Sequence, residues 1–239
     1  MIYLPLMKSM FTSTGLALLA LALSSTSSAT LGAQPSTPGA WRSLFDGKTL
    51  DAWRTYKSTA PPQKWEIKDG LLTKEGNASD LISKDQFGDF ELELEWNIGE
   101  AGNSGIFYRG TEEYNAIYWS AVECQLLDNV KADDNKKPNH LAGSAYDLFA
   151  APAEATKPAG QWNQLRIVAK GNHVEHWMNG TKVVSYDVGS PEWDAALKAS
   201  KFDPAKYPNF AKAPKGYLGI QGNHPGSLAL RNIRIRDLS

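Results

Sequence analysis

A single cysteine, Cys124, stands in 239 residues, so the chain has no internal disulfide and its stability must come from a packed core. Cys124 lies in a strand pattern between Val122 and Leu126, where a small buried hydrophobe is expected rather than a nucleophile. Neither sign of charge is in excess. The 25 basic and 26 acidic residues leave a formal net charge of −1, and nothing resembles the clustered basic face that nucleic acid demands. No internal repeat is visible. The apolar core near the N-terminus, Gly15 to Leu23, is too short to cross ~30 Å of hydrocarbon, which argues against a membrane anchor.

That stretch fits an export leader instead. Lys8 supplies the positive n-region, Phe11 to Leu23 the apolar h-region, and Ala29 or Ala33 the small residue before cleavage. No Cys follows the h-region, which argues against a lipid anchor. The chain therefore reads as a leader at 1–33, a Ser/Pro/Gly linker at 34–40 and one domain at 41–239, exported to the periplasm or secreted.

From Trp41 onward, short alternating runs are separated by turn clusters. Runs at 43–46, 65–67, 71–74, 80–84, 88–98, 104–109, 117–127, 145–149, 162–170, 173–178, 181–186, 216–221 and 227–237 predict a two-sheet antiparallel β-sandwich, not a parallel α/β sheet. Phe90, Leu92, Leu94, Trp96 and Ile98 share one face of the clearest strand, and Glu91, Glu93 and Glu95 the solvent face. Asn179-Gly180 predicts a type I′ hairpin turn, which also accounts for the Asn179-Gly-Thr181 sequon. Leu228, Leu230, Ile233 and Ile235 change parity, so a β-bulge is expected near Arg231-Asn232. Residues 191–214 predict two helical turns from Glu192 to Ala199 and then a Pro-broken loop, a rim or lid insertion.

The densest polar cluster runs from Asn103 to Lys157. If Val122, Cys124 and Leu126 pack inward, Glu123 and Gln125 stand side by side on the concave face, suited to gripping sugar hydroxyls. Asp128, His140, Tyr146 and Lys157 follow on loops, and Arg109 ends the preceding strand pattern. His224, between a strand end and a proline, is placed to overhang the same sheet. His173 and His176, three apart on a strand, point to opposite faces and cannot share a metal. Asp133-Asp134-Asn135 lacks the spacing of a calcium loop and reads as a solvated charged loop, so neither metal nor cofactor is expected.

Ordered strings extend these patterns: Leu44-Phe-Asp-Gly-Lys-Thr-Leu-Asp-Ala-Trp53, Trp65-Glu-Ile-Lys-Asp-Gly-Leu-Leu72, Gly88-Asp-Phe-Glu-Leu-Glu-Leu-Glu-Trp96, Gly102-Asn-Ser-Gly-Ile-Phe-Tyr-Arg109 and Val122-Glu-Cys-Gln-Leu-Leu-Asp128. They continue with Lys157-Pro-Ala-Gly-Gln-Trp-Asn163, Val174-Glu-His-Trp-Met-Asn-Gly180, Gly219-Ile-Gln221 and Arg231-Asn-Ile-Arg-Ile235. Over Trp41 to Leu238 the chain resembles the 3-keto-disaccharide hydrolase domain family, departing from it at Ala142-Gly-Ser-Ala-Tyr-Asp-Leu-Phe149. The resemblance implies a concanavalin A-like jelly roll and cleavage of a glycoside already oxidised to a ketone at its third carbon. It also implies an upstream glycoside 3-oxidoreductase.

Such a ketone acidifies the proton on the second carbon, so a base can remove it and expel the glycosidic oxygen, after which water adds back. On this reading Glu123 or His140 is the base, Arg109 and Lys157 face the enolate, and Gln125, Asp128, Asn103, Tyr146 and His224 hold the sugar. The competing reading is a non-catalytic carbohydrate-binding module in which Trp119, Trp162 and Trp193 stack on sugar rings. An ordinary glucanase is less favoured, because no Glu-x-Asp-x-x-Glu strand is present.

Overall fold

The computed structural model describes residues 38–238. The leader at 1–33 and most of the linker lie outside the described residues. The strands are β1 (Arg42–Ser43), β2 (Trp53–Thr55), β3 (Trp65–Lys68), β4 (Leu71–Lys74), β5 (Leu81–Phe87), β6 (Phe90–Ile98) and β7 (Asn103–Gly110). Then follow β8 (Val122–Leu127), β9 (Asn163–Lys170), β10 (His173–Met178), β11 (Thr181–Asp187), helix α1 (Pro191–Ala199), β12 (Gly216–Ile220) and β13 (Leu228–Asp237).

They form two antiparallel sheets, the sandwich the alternation predicts. The eight-stranded sheet runs β11-β10-β9-β6-β13-β4-β3, with β1 paired to β13, and the five-stranded sheet runs β2-β5-β12-β7-β8. The core lies between them. Phe90, Leu92, Leu94, Trp96 and Ile98 are all buried, each removed from water by the strict period of two in β6.

The opposite face of β6 is not simply wet. In register with β13, Glu91, Glu93 and Glu95 meet Arg236, Arg234 and Arg231, at 2.6 Å, 2.6 Å and 2.6 Å. Glu91 also pairs with Arg166 and keeps only 4% of its surface. Cross-strand ion pairing, invisible to a single strand's periodicity, moves these carboxylates out of bulk solvent.

The expected bulge is present. Pairing of β13 with β6 shifts between Arg231 and Arg234, and Asn232 takes a positive φ of 54°. Leu228, Leu230, Ile233 and Ile235 all bury as a result. The β10–β11 turn has Asn179 and Gly180 at φ 50° and 84°, and the Asn179 side chain bonds Gln164, Ala155 and Asn163, so the turn itself engages the sequon asparagine.

Four readings need correction. Residues 117–119 form a 3₁₀ turn, and 145–149 a tight turn closed by Ala145 and Phe149, which meets β8 only through an isolated bridge from Ala145 to Cys124 and so does not extend as a strand. Trp193 is a core residue, 3% exposed and stacked with Tyr186 and Phe210, since Ser190 caps α1 and turns its apolar side inward. Trp162 is covered by the Arg231 guanidinium, 4.1 Å from its ring centre.

Candidate active site

On β8, Val122, Cys124 and Leu126 enter the core, so alternation turns Glu123 and Gln125 to the outer face of the five-stranded sheet. The neighbouring strand β7 sets Gly105 against Gln125 and Phe107 against Glu123. Just past β12, Gln221 is tied to β7 by its backbone N–H to the Gly105 carbonyl (2.9 Å) and by its own carbonyl, which accepts from Ser104 Oγ (2.7 Å). Asn223 and His224 follow on the same loop.

Around this patch the long loops close a cavity of about 260 Å³ lined by Asn103, Tyr118, Trp119, Glu123, Gln125, Asp134, Tyr146, Lys201, Gln221, Asn223 and His224. The cavity has the size of roughly one sugar ring. A larger groove on the eight-stranded sheet lies over Glu93, Glu95, Arg166 and Arg234, whose charges already pair across strands.

Glu123 is 5% exposed. Burial pushes its pKa up to about 8; Lys201 pulls the other way, and Asp80 and Asp134 add to the rise. With its amide turned to suit its neighbours, Gln125 donates to Glu123 Oε1 (3.2 Å) and to the Ser104 carbonyl (2.9 Å). The Lys201 ammonium lies 4.4 Å from the Tyr146 ring centre and 5.4 Å from that of Tyr118. Two buried amide oxygens, Asn103 Oδ1 and Gln221 Oε1, have no hydrogen-bond partner. Buried acceptors are ordinarily paired, so these two oxygens mark the cavity as a place for hydrogen-bond donors.

Behind the pocket runs a polar chain. Tyr146 donates its hydroxyl to Asp134 Oδ2 (2.8 Å), and His140 bridges Asp134 Oδ1 (2.7 Å) and Asp147 Oδ1 (2.9 Å). Asp147 Oδ2 accepts from the Lys201 backbone N–H (2.8 Å), anchoring the cation's position. Burial, then Asp134, push the Tyr146 phenol well above its ordinary range, so it stays a neutral donor. Burial also pulls the His224 imidazole below its ordinary value, so it is neutral at pH 7.

Five of the nine residues singled out from the sequence therefore line one cavity: Glu123, Gln125, Asn103, Tyr146 and His224. Four do not. His140 has both ring nitrogens on carboxylates and supports the pocket from behind. Arg109 has a left-handed φ of 53° at a register shift between β7 and β12, which breaks the alternation. Its guanidinium instead ties down the Gly88 carbonyl (2.9 Å), the Gly171 carbonyl (2.7 Å) and Asp89 (3.2 Å). Lys157 Nζ donates to the Trp162 carbonyl (3.1 Å). Asp128 closes a turn, accepting from the N–H groups of Ala101 (2.9 Å) and Val130 (3.0 Å).

The cation is Lys201, from the insertion read as a rim. Asp134 is a bonded pocket wall, not a solvated loop residue. The string Gln221-Gly-Asn-His224, singled out for its histidine, carried the signal for Gln221 and Asn223. Among the described residues no group of three His, Cys, Asp or Glu is arranged to hold a metal ion.

The model of the 3-keto-alpha-glucoside-1,2-lyase-like domain matches residues 40–236. The chain belongs to this family. It is 34% identical over 225 residues to a 3-keto-disaccharide hydrolase of Bacteroides thetaiotaomicron, covering 82% of this chain and 77% of that one. A candidate glycosyl hydrolase from Parabacteroides distasonis superposes with a TM-score of 0.77 at 26% identity, covering 84% of this chain and 94% of its own. A Bacillus licheniformis β-glucanase has a TM-score of 0.50 at 9% identity, covering 84% and 99%, and shares the fold alone. Within the family fold, the pocket of this lyase-like domain sits on the outer face of the smaller sheet.

Proposed function

We propose that the pocket cleaves the glycosidic bond of 3-keto-glycosides, 3-keto-disaccharides among them, by elimination followed by hydration. Family membership and the likeness to the Bacteroides enzyme make the chain a carbohydrate-active hydrolase. The observation that carries the finer reading is Glu123: a buried carboxyl with raised proton affinity, sharing a ring-sized cavity with one lysine.

The ionised Glu123 takes the proton from the second sugar carbon, and burial makes it a far stronger base than an exposed carboxylate. Lys201 opposes the negative charge that develops on the ketone oxygen. The electron pair released at the second carbon forms the double bond to the first, and the glycosidic C–O bond breaks. The departing oxygen recovers the proton that Glu123 accepted, so the site ends with its charge unchanged. Hydration then places hydroxyl on the first carbon and hydrogen on the second. Asn103, Gln125 and Gln221 hold ring hydroxyls, and His224 hydrogen-bonds the departing oxygen or the entering water.

The keto substrate requires a prior oxidation at the third carbon, the work of a glycoside 3-oxidoreductase. The leader read at 1–33 supports a site of action outside the cytoplasm.

The test is to incubate the purified protein in D₂O with a 3-keto-disaccharide and with its unoxidised parent. Monosaccharide released only from the keto form, with deuterium at the second carbon, is expected. Release without deuterium sinks the elimination step. Binding of unoxidised glycans with no turnover of either compound would favour the binding-module reading.

A further inference from the structure

We infer that Lys74 is a positioning residue for the pocket: its buried ammonium holds the β12–β13 loop in the shape that presents His224 and Asn223. Lys74 ends β4, on the larger sheet, and keeps only 2% of its surface. Its Nζ donates to the carbonyls of His224 (2.9 Å), Gly76 (3.0 Å) and Gly226 (3.1 Å). These bonds satisfy an ammonium's three donors with backbone oxygens, two of them from the loop that leaves β12 and lines the cavity. From the other side Asp80 Oδ1 accepts from the N–H groups of Gly222 (2.8 Å) and Asn223 (3.2 Å). The loop is thus gripped twice, its carbonyls by a cation and its amides by an anion.

An ammonium is a costly way to fill a core. Leu72, on the same face of β4, is wholly buried, and a methionine at 74 would suit the apolar setting without desolvating a charge. What a methionine cannot do is turn carbonyls inward. Burial draws the Lys74 pKa down to about 8, while Glu75 and Asp80 oppose that fall. The loop is also pressed against β7: Gly226 has φ +82°, its Cβ position lies 2.4 Å from Gly102 Cα, and the Pro225 carbonyl accepts from Asn103 N–H (3.2 Å). Freed of Lys74, the His224 carbonyl loses its donor and must swing toward water, the Gly226 carbonyl is left with only the Gly76 N–H (3.2 Å), and the imidazole moves with its backbone.

The kinetic arm of the test rests on the function proposed above; the structural arms do not. Lys74→Met is compared with wild type by amide hydrogen exchange, by the NMR titration of the His224 ring, and by kcat/KM on a 3-keto-disaccharide, alone and combined with His224→Ala. Expected are faster exchange confined to 222–227, a shifted His224 titration, and a fall in kcat/KM on the order of 10²-fold. His224→Ala should absorb that fall, so that the double variant is no worse than His224→Ala. Wild-type exchange and an unmoved His224 titration in Lys74→Met would overturn the inference, as would kinetic losses that multiply. Should Lys74→Met not fold, the wild type decides: one lysine Nζ–H signal must persist under conditions where exposed lysines exchange away, and its absence overturns the assignment. A wild type inactive on the keto sugar refutes the proposed function and leaves the exchange and NMR outcomes to judge Lys74.

Discussion

Gly105 on β7 lies so close to the Glu123 side chain that a Cβ built on it would sit 1.9 Å from Oε1 and 2.6 Å from Cδ. Its lack of a side chain is what lets the carboxyl lie flat over the neighbouring strand. Gly105→Ala should therefore displace Glu123, lowering kcat by about 10²-fold while costing about 1–3 kcal/mol of stability through overpacking. Steady-state kinetics with thermal unfolding checks both, and an unimpaired kcat would show that the carboxyl's placement is unimportant.

Glu123→Gln should lower the rate by ~10²-fold to 10⁴-fold yet raise stability above acid pH. Burial raises the folded pKa from 4.5 to about 8, so the wild type is favoured below 4.5 and loses stability as pH rises from 4.5 through about 8. The glutamine variant carries no such penalty. The gap between the two unfolding curves should widen over that window by on the order of a few kcal/mol and stay constant above it. Equal pH slopes for both proteins would contradict the assignment.

Because Glu123 acts ionised, kcat/KM should climb with pH toward about 8 and turn down above it as Lys74, whose pKa burial also draws to about 8, loses the ammonium that holds the His224 loop. His224, held neutral by burial, adds no limb between pH 7 and 8. A pH–rate profile that falls across this range would make Glu123 the proton donor instead.

Two lysines separate the geometry from the sequence reading. Lys201→Met should cost about 10²-fold or more in kcat, as loss of an electrostatic contact to developing charge typically does. Lys157→Met should leave kcat unchanged, because its ammonium is spent on the Trp162 carbonyl. The reverse pattern in a kinetic comparison would place the cation wrongly.

Leu94→Ala should destabilise by about 2–5 kcal/mol, the lost burial plus the cavity, since Leu94 is 3% exposed between the sheets. Denaturant unfolding measures it. Turnover of the folded fraction should be unaffected, because β6 lies in the larger sheet and the pocket on the smaller.

The sequence by itself determined what is local and periodic. Alternation in β6 and β8 decided which residues enter the core and that Glu123 shares a face with Gln125. Asn179-Gly180 decided a turn, and the parity change before Ile233 decided a bulge. Only the tertiary structure decided which groups share the pocket. Lys201 reaches it from an insertion without periodicity, and His140 loses both ring nitrogens to carboxylates brought in by loop closure. A single left-handed residue at Arg109 undoes the parity rule that would have aimed it at Glu123. Lys74 reads as an ordinary strand lysine until three carbonyls converge on it. The physical reason is common to all four. A pattern of period two encodes the face of a strand, while the meeting of loops depends on backbone dihedrals and on charges from distant parts of the chain, which settle only when the sheets have packed.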